Sequence, residues 1–426
     1  MRRHLVNLGA LSAIQLANAL LPVIVFPWVL SVIGPTLFAR IAVTEAVTFF
    51  ALAVVLFSFE VEGVAKIAGL DLKRDLARIA HIVSGILYVR IALLAVCVLL
   101  LLAAAPFVER PTLLLLLGWM MLPLGYVLQS MWLFQGLERN LALAVCVVGS
   151  RLLCLATLYL AVRAPHDYVL VPLIIGACYA LGGAASLLYC RLVLKIRLVA
   201  VPPSELRALL LGGKEIFFGN LSVTLFRDSN VLILGALASP TAVSVYSIAE
   251  KLVKCFQAMA RPLNQVMFPR VIRAIAAHSA PDRAAFRIIL RYTLPQLMAL
   301  MLGALCIALA WVLLRERLAG GAGGALTMQI ALTVSLMAVA VLFGVSNFMF
   351  GSAGLNYLNQ RGYFATAIFI TGVCSVLLCI PLAYLWAERG AAATFLFSEV
   401  FLFILIARAY RRSPAGGAAA PGAAHP

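Results

Sequence analysis

Between Thr241 and Phe268 an otherwise apolar stretch carries Glu250, Lys254, Gln257, Arg261 and Asn264. The steps of four, three, four and three residues put all five on one narrow face of a 3.6-residue helix. Near the middle of a bilayer, each charge costs roughly 2.5–3.5 kcal/mol on the insertion scale. The span's valines, leucines, isoleucines and phenylalanines return only about 0.5 kcal/mol each. Such a face cannot be turned to lipid. It needs a protein-lined, hydrated interior, and its chemistry is the binding of polar or anionic groups along a path through a membrane.

Other intramembrane polar groups extend the set. Arg90, Arg151, Arg227 and Asp228 fall near the middle of their apolar runs, as does Glu399, the only charge between Ala391 and Ala407. Glu45 and Glu250 lie nearer one end of theirs. Arginine forks match phosphate oxygens in two directions at once, which makes Arg90 and Arg151 candidates for an anionic substrate. Each charge has a second reading, a buried ion pair that locks helices together. Arg227 and Asp228 project about 100° apart, so each requires its own partner. Gln15 and Asn18 in the first run suit sugar hydroxyls or interhelical hydrogen bonds. Glu45, Asp228, Glu250 and Glu399 are the titratable candidates for coupling to a proton or sodium ion.

The elements that must position these groups are transmembrane helices. The chain has 426 residues, 64% hydrophobic and 12% charged, with a mean hydropathy of +1.07, outside the range of soluble domains. Apolar runs long enough to cross a bilayer recur throughout. Twelve are expected, near 5–31, 37–59, 82–105, 112–134, 141–162, 168–190, 214–237, 241–268, 290–314, 326–350, 363–386 and 391–409. With the N-terminus placed in the cytoplasm, 21 lysines and arginines fall in loops on that side and five on the other. Both termini are therefore expected to be cytoplasmic. The +17 net charge is mostly this loop bias, so nucleic acid is not an expected partner.

The interhelical stretch around Pro202-Pro203 divides the spans six and six. The expected organisation is an N-terminal lobe over 1–198, a linker over 199–213, a C-terminal lobe over 214–412 and a disordered tail over 413–426. Two echoes between the halves, Pro35-Thr36…Glu45 with Pro240-Thr241…Glu250 and Gly136-Leu137 with Gly354-Leu355, fit a parallel repeat. Pro22 and Pro27 suggest that the first span is broken or kinked. The five tryptophans read as interface anchors. The nine cysteines lie inside spans without CxxC spacing and read as small apolar residues. No loop houses a soluble domain, and Gly212-Gly213-Lys214 lacks the rest of a P-loop. Neither an enzyme, nor a metal, nor a cofactor is expected.

Three motifs carry a family resemblance. Asn7-Leu8…Gln15-Leu16-Ala17-Asn18…Leu21-Pro22…Pro27…Gly34-Pro35…Phe38 opens the chain. Trp132-Leu133-Phe134-Gln135-Gly136-Leu137-Glu138 follows the fourth span, and Tyr246-Ser247-Ile248-Ala249-Glu250-Lys251 through Pro262-Leu263 to Phe268-Pro269-Arg270 lies in the eighth. In this order they resemble the polysaccharide transporters of the multidrug/oligosaccharidyl-lipid/polysaccharide exporter (MOP) superfamily, the bacterial O-antigen repeat-unit flippases. The chain departs from that pattern at Phe26-Pro27-Trp28 and Ser58-Phe59. The resemblance implies an all-α polytopic membrane protein with twelve helices in two six-helix lobes around a central cavity. It implies a transporter of the inner membrane that moves undecaprenyl-pyrophosphate-linked oligosaccharides by alternating access, for O-antigen, capsule or exopolysaccharide synthesis. Its implied partners are that lipid-linked substrate, a coupling ion, membrane lipids, a polysaccharide polymerase and a chain-length regulator. The alternatives are an ion-coupled multidrug or metabolite antiporter of the same superfamily and, from another class, a membrane polymerase or ligase.

Overall fold

A computed structural model describes residues 2–277, 282–319, 324–355 and 357–412, with some side chains outside the description, among them those of Arg261 and of 306–323. The expected tail over 413–426, Cys306 and Trp311 therefore lie outside the described residues. In a bilayer core no water is available to satisfy backbone N–H and C=O groups, so each span must pair them internally as a helix. The helices are α1 (Arg2–Leu56), α2 (Phe59–Ile67), α3 (Leu76–Ala104), α4 (Arg110–Gln129), α5 (Met131–Gly136) and α6 (Asn140–Ala161). They continue as α7 (Leu170–Leu192), α8 (Pro203–Leu237), α9 (Pro240–Ala277), α10 (Asp282–Ala319), α11 (Gly324–Asn347) and α12 (Arg361–Arg412), with a π-helical turn over Phe348–Leu355.

Two of these are hairpins. In α1 the helical dihedrals fail at Gly34 (φ 78°, ψ 166°), a conformation open to glycine because it has no Cβ. The chain reverses there, and Phe26 meets Phe38 with ring centroids 5.7 Å apart. In α12 the helix breaks at Ala387, and Ser398 then hydrogen-bonds Ser375 at 2.8 Å. Counting each hairpin as two gives twelve spans with α3, α4, α6, α7, α8, α9, α10 and α11, in register with the twelve apolar runs. The expected break at Pro22 and Pro27 does not occur: α1 keeps helical dihedrals through both. Neighbouring helices make up for the two lost hydrogen bonds. Helix α8 starts at Pro203, inside the stretch read as linker, with proline at its first position and Glu205 in its first turn.

Lipid-facing surfaces repeat at helical spacing. On α6, Leu141, Val145, Leu152 and Tyr159 are more than half exposed while Leu143, Val147, Cys154 and Leu158 are fully buried. Helix α9 is different, with no exposed residue from Ala242 to Ala258. Its outer turns are enclosed by α1, α8, α11 and α12. One apolar cluster is confined to helices of the N-terminal half, with the first turns of α8, and another to the C-terminal half. A third runs through both along α1, α8 and α9. In the N-terminal half, α4 and α7 touch through their backbones: a Cβ on Gly176 would lie 2.5 Å from the Gly118 oxygen, and one on Gly125 would lie 2.5 Å from the Tyr179 carbonyl carbon. Small residues allow that approach, and it sets Trp119 and Tyr126 of α4 against Ile175 and Tyr179 of α7.

Candidate functional site

The intramembrane charges assemble around the Gly34 half of α9. Lys254 Nζ lies 2.7 Å from Asp228 Oδ1 on α8 and 3.2 Å from Glu250 Oε1 one turn away on α9. Arg227, the neighbour of Asp228, turns to α12 and donates from Nη2 to Glu399 Oε1 at 3.2 Å. Asn347 of α11 completes the Glu399 shell, donating from Nδ2 to Oε2 at 2.8 Å and to the Glu399 main-chain oxygen at 2.9 Å. Arg227 and Asp228 thus take separate partners, as their angular separation demands. The Gln257 amide and the Glu399 carboxylate both flank Gly344 of α11.

Burial is graded along this cluster. The Glu399 and Glu250 side chains are sealed, whereas those of Arg227 and Lys254 keep 31% and 32% exposure. Because α9 has no lipid face here, the exposed parts of Lys254 and Gln257 look into a space between helices. Toward Gly34 the cluster ends in a dry pair, Asn230 donating to the Tyr246 hydroxyl at 3.0 Å. At the other end Asn264 is buried, and the Arg261 side chain lies outside the described residues. The cations are clasped by carboxylates and not free, and with all five groups ionised the cluster carries two positive and three negative charges. Sequence spacing placed Glu250 and Lys254 on one face of α9 but could not show that Asp228 of α8 lies across from them or that Arg227 pairs with Glu399 of α12.

The N-terminal half holds a separate polar site. Arg151 of α6 is buried, stacks its guanidinium 3.2 Å from the Tyr179 ring centre and donates from Nε to Asn18 Oδ1 at 3.0 Å. Its Nη1 donates to Ser150, and its Nη2 is buried without a partner. Among the described residues it has no carboxylate within ion-pair distance. Beside it lies a cavity of about 160 Å³ whose wall includes Asn18, Glu45, Phe26, Trp119, Tyr126 and Tyr179. Gln15 lies on the same segment of α1, half-buried.

Arg90 is elsewhere. It is fully buried, its Nη2 2.7 Å from Glu60 of α2, and it packs over Phe59. This geometry is that of the helix-locking alternative: Glu60 lies in the first turn of α2, a short helix outside the polar faces read from sequence. Trp119 and Trp132 are likewise buried, not interface anchors. Trp132 packs against Gly63 of α2, so the Trp132–Glu138 motif builds the α2–α5 contact.

The two sites meet at one ion pair. Lys251 Nζ lies 2.5 Å from Glu45 Oε2, with both side chains nearly buried, and 4.5 Å from the Phe26 ring centre. Ser244 of α9 also donates to the Pro35 carbonyl at 2.8 Å. Near the Gly34 turn, α1 and α9 are therefore stitched together. Lys251 is one residue, or about 100°, from Glu250, and that rotation carries it out of the α9 stripe to a partner 206 residues away.

The comparisons with known proteins agree with this architecture. A family model described as polysaccharide biosynthesis protein matches residues 5–275. A protein of Escherichia coli (strain K12), named as a candidate O-antigen transporter, is 23% identical over 94% of this chain and 95% of its own length. One of Shigella dysenteriae with the same name is 24% identical over 95% and 99%. Among solved structures, an inward-facing multidrug-resistance MATE family transporter of the MOP superfamily aligns with a TM-score of 0.65 at 14% identity, over 93% of this chain and 94% of that one. A eukaryotic MATE transporter aligns with a TM-score of 0.58, also at 14% identity, over 97% and 96%.

Proposed function

This chain belongs to the polysaccharide biosynthesis protein family, and from that premise we propose that it is a flippase for lipid-linked oligosaccharides. In this reading it moves undecaprenyl-pyrophosphate-linked repeat units from the cytoplasmic to the periplasmic leaflet of a bacterial inner membrane. The observation that carries it is the enclosed polar cluster of Arg227 and Asp228 on α8 with Lys254 and Gln257 on α9, partly exposed groups set against a helix with no exposed residue from Ala242 to Ala258. Residues 1–198 and 214–412 are the two lobes that rock about it, joined by 199–213, with both termini cytoplasmic by the loop charge bias. Arg227, Lys254, Gln257, Arg261 and Asn264 meet the pyrophosphate on the C-terminal side, and Arg151, Asn18 and Gln15 meet the glycan on the other. The polyprenyl tail stays in lipid. Outward movement of a doubly charged pyrophosphate runs with an inside-negative potential, about 4.6 kcal/mol per 100 mV. Glu45, Asp228, Glu250 and Glu399 are the groups at which a coupling ion would act, and a polymerase and chain-length regulator would take the delivered product.

The test is complementation of a flippase deletion strain by Arg227→Met and Lys254→Met, with membrane insertion checked by immunoblot. Loss of surface polysaccharide with normal insertion is expected. Normal output from both variants refutes the cationic path. The excess of carboxylates over cations in the cluster favours a second reading, an ion-coupled multidrug antiporter. Raised drug resistance in a pump-deficient host, abolished by Glu399→Gln, would select it.

A further inference from the structure

The geometry points to the cavity between α1, α4 and α7 as a subsite for one pyranose ring, distinct from the charged cluster on α8, α9 and α12. This rests on the lipid-linked oligosaccharide reading and adds a division of labour to it. Sugar rings present apolar C–H faces and hydroxyl edges, so their sites combine aromatic walls with a few fixed donors and acceptors. Here Phe26, Trp119, Tyr126 and Tyr179 supply the walls. Asn18 supplies the donor. Arginine can only donate, so the Asn18 Oδ1 bonded to Arg151 Nε fixes the amide and leaves its Nδ2 as the group offered to the cavity. Glu45 supplies the acceptor: Lys251 takes Oε2, and Oε1 remains. The volume, about 160 Å³, is on the scale of a single ring.

Arg151 is the positioning residue. It is held by Tyr179, Asn18 and Ser150, the first two in the cavity wall, and its Nη2 is buried and unpartnered. A buried guanidinium N–H without an acceptor is costly, and a hydroxyl oxygen entering beside Asn18 would satisfy it. The charged cluster is built differently, with Arg227 over the Phe226 ring and carboxylates around its cations. Its pairs are formed by Arg227, Asp228, Glu250, Lys254 and Glu399, suited to a phosphate or an ion rather than to a ring face.

The experiment measures binding of short-chain polyprenyl pyrophosphates to the full-length protein in nanodiscs, read by tryptophan fluorescence. Each lipid is compared with and without one attached sugar, across glucose, galactose, rhamnose, N-acetylglucosamine and N-acetylgalactosamine. At least one sugar is expected to tighten binding roughly tenfold over the sugar-free lipid, the effect of one or two well-placed hydrogen bonds. Asn18→Leu and the cavity-filling Leu21→Phe should both erase that gain, and Leu21→Phe should leave sugar-free binding within about twofold. Leu21→Phe adds volume without removing a polar partner, so it folds even if Asn18→Leu does not. The proposal is overturned if no sugar improves binding, or if the gain survives Leu21→Phe. Failure of the sugar-free lipid to bind at all would instead overturn the flippase reading.

Discussion

The Lys251–Glu45 pair joins the two halves of the molecule, and its removal has a magnitude that can be worked out. The side chains are 11% and 8% exposed and 2.5 Å apart. Deleting one partner of a pair this deeply buried strands a charge and costs about 3–5 kcal/mol, whereas replacing both with neutral groups is often close to neutral. Lys251→Met leaves Glu45 facing the apolar Phe26 side of the cavity and belongs at the upper end. Glu45→Gln is milder, because the ammonium keeps an amide oxygen and the Phe26 ring, the latter worth up to about 2 kcal/mol when desolvated. The combined variant should return to within about 1 kcal/mol of the parent. A double-mutant cycle on equilibrium unfolding in mixed micelles should therefore give a coupling of about 2 kcal/mol or more, opposite in sign to the single losses. Additive losses, or a harmless Lys251→Met, would refute the view that this pair is dry and holds α1 to α9.

Three further outcomes follow from the geometry. Glu399→Ala leaves Arg227 without its carboxylate and Asn347 with only the main-chain oxygen of residue 399, and should lower the thermal midpoint strongly, while Glu399→Gln, which keeps a side-chain oxygen, should lower it less. Glu60→Gln leaves the fully buried Arg90 guanidinium without its carboxylate, and should destabilise by about 3 kcal/mol and be largely rescued by Arg90→Met; transport lost in the single variant and restored in the double would mark Arg90 as structural. Asp71 accepts the backbone N–H groups of Lys73 and Arg74, which holds its carboxyl below the usual value. Its contribution to loop order is thus present above that usual value and lost as pH falls through the lowered one. Amide exchange at Lys73 and Arg74 should be slow at neutral pH, accelerate only in strong acid, and be fast at neutral pH in Asp71→Asn.

Much of this molecule was legible along the chain. Twelve apolar runs became twelve spans because lipid leaves a backbone no alternative to helix, and a 3.6-residue period put Glu250, Lys254 and Gln257 on one face whatever surrounded them. Gly34-Pro35 marked a reversal since glycine alone tolerates its dihedrals. Tertiary packing decided the partners. Whether Arg90 lay against Glu60, which group Lys251 would pair with, and whether Trp119 faced headgroups or a cavity each depended on residues 30 to 206 positions away or on another helix's rotation. Periodicity fixes the direction of a side chain relative to its own axis. It carries no information on which other axis lies across from it, and there ion pairs and cavities are made.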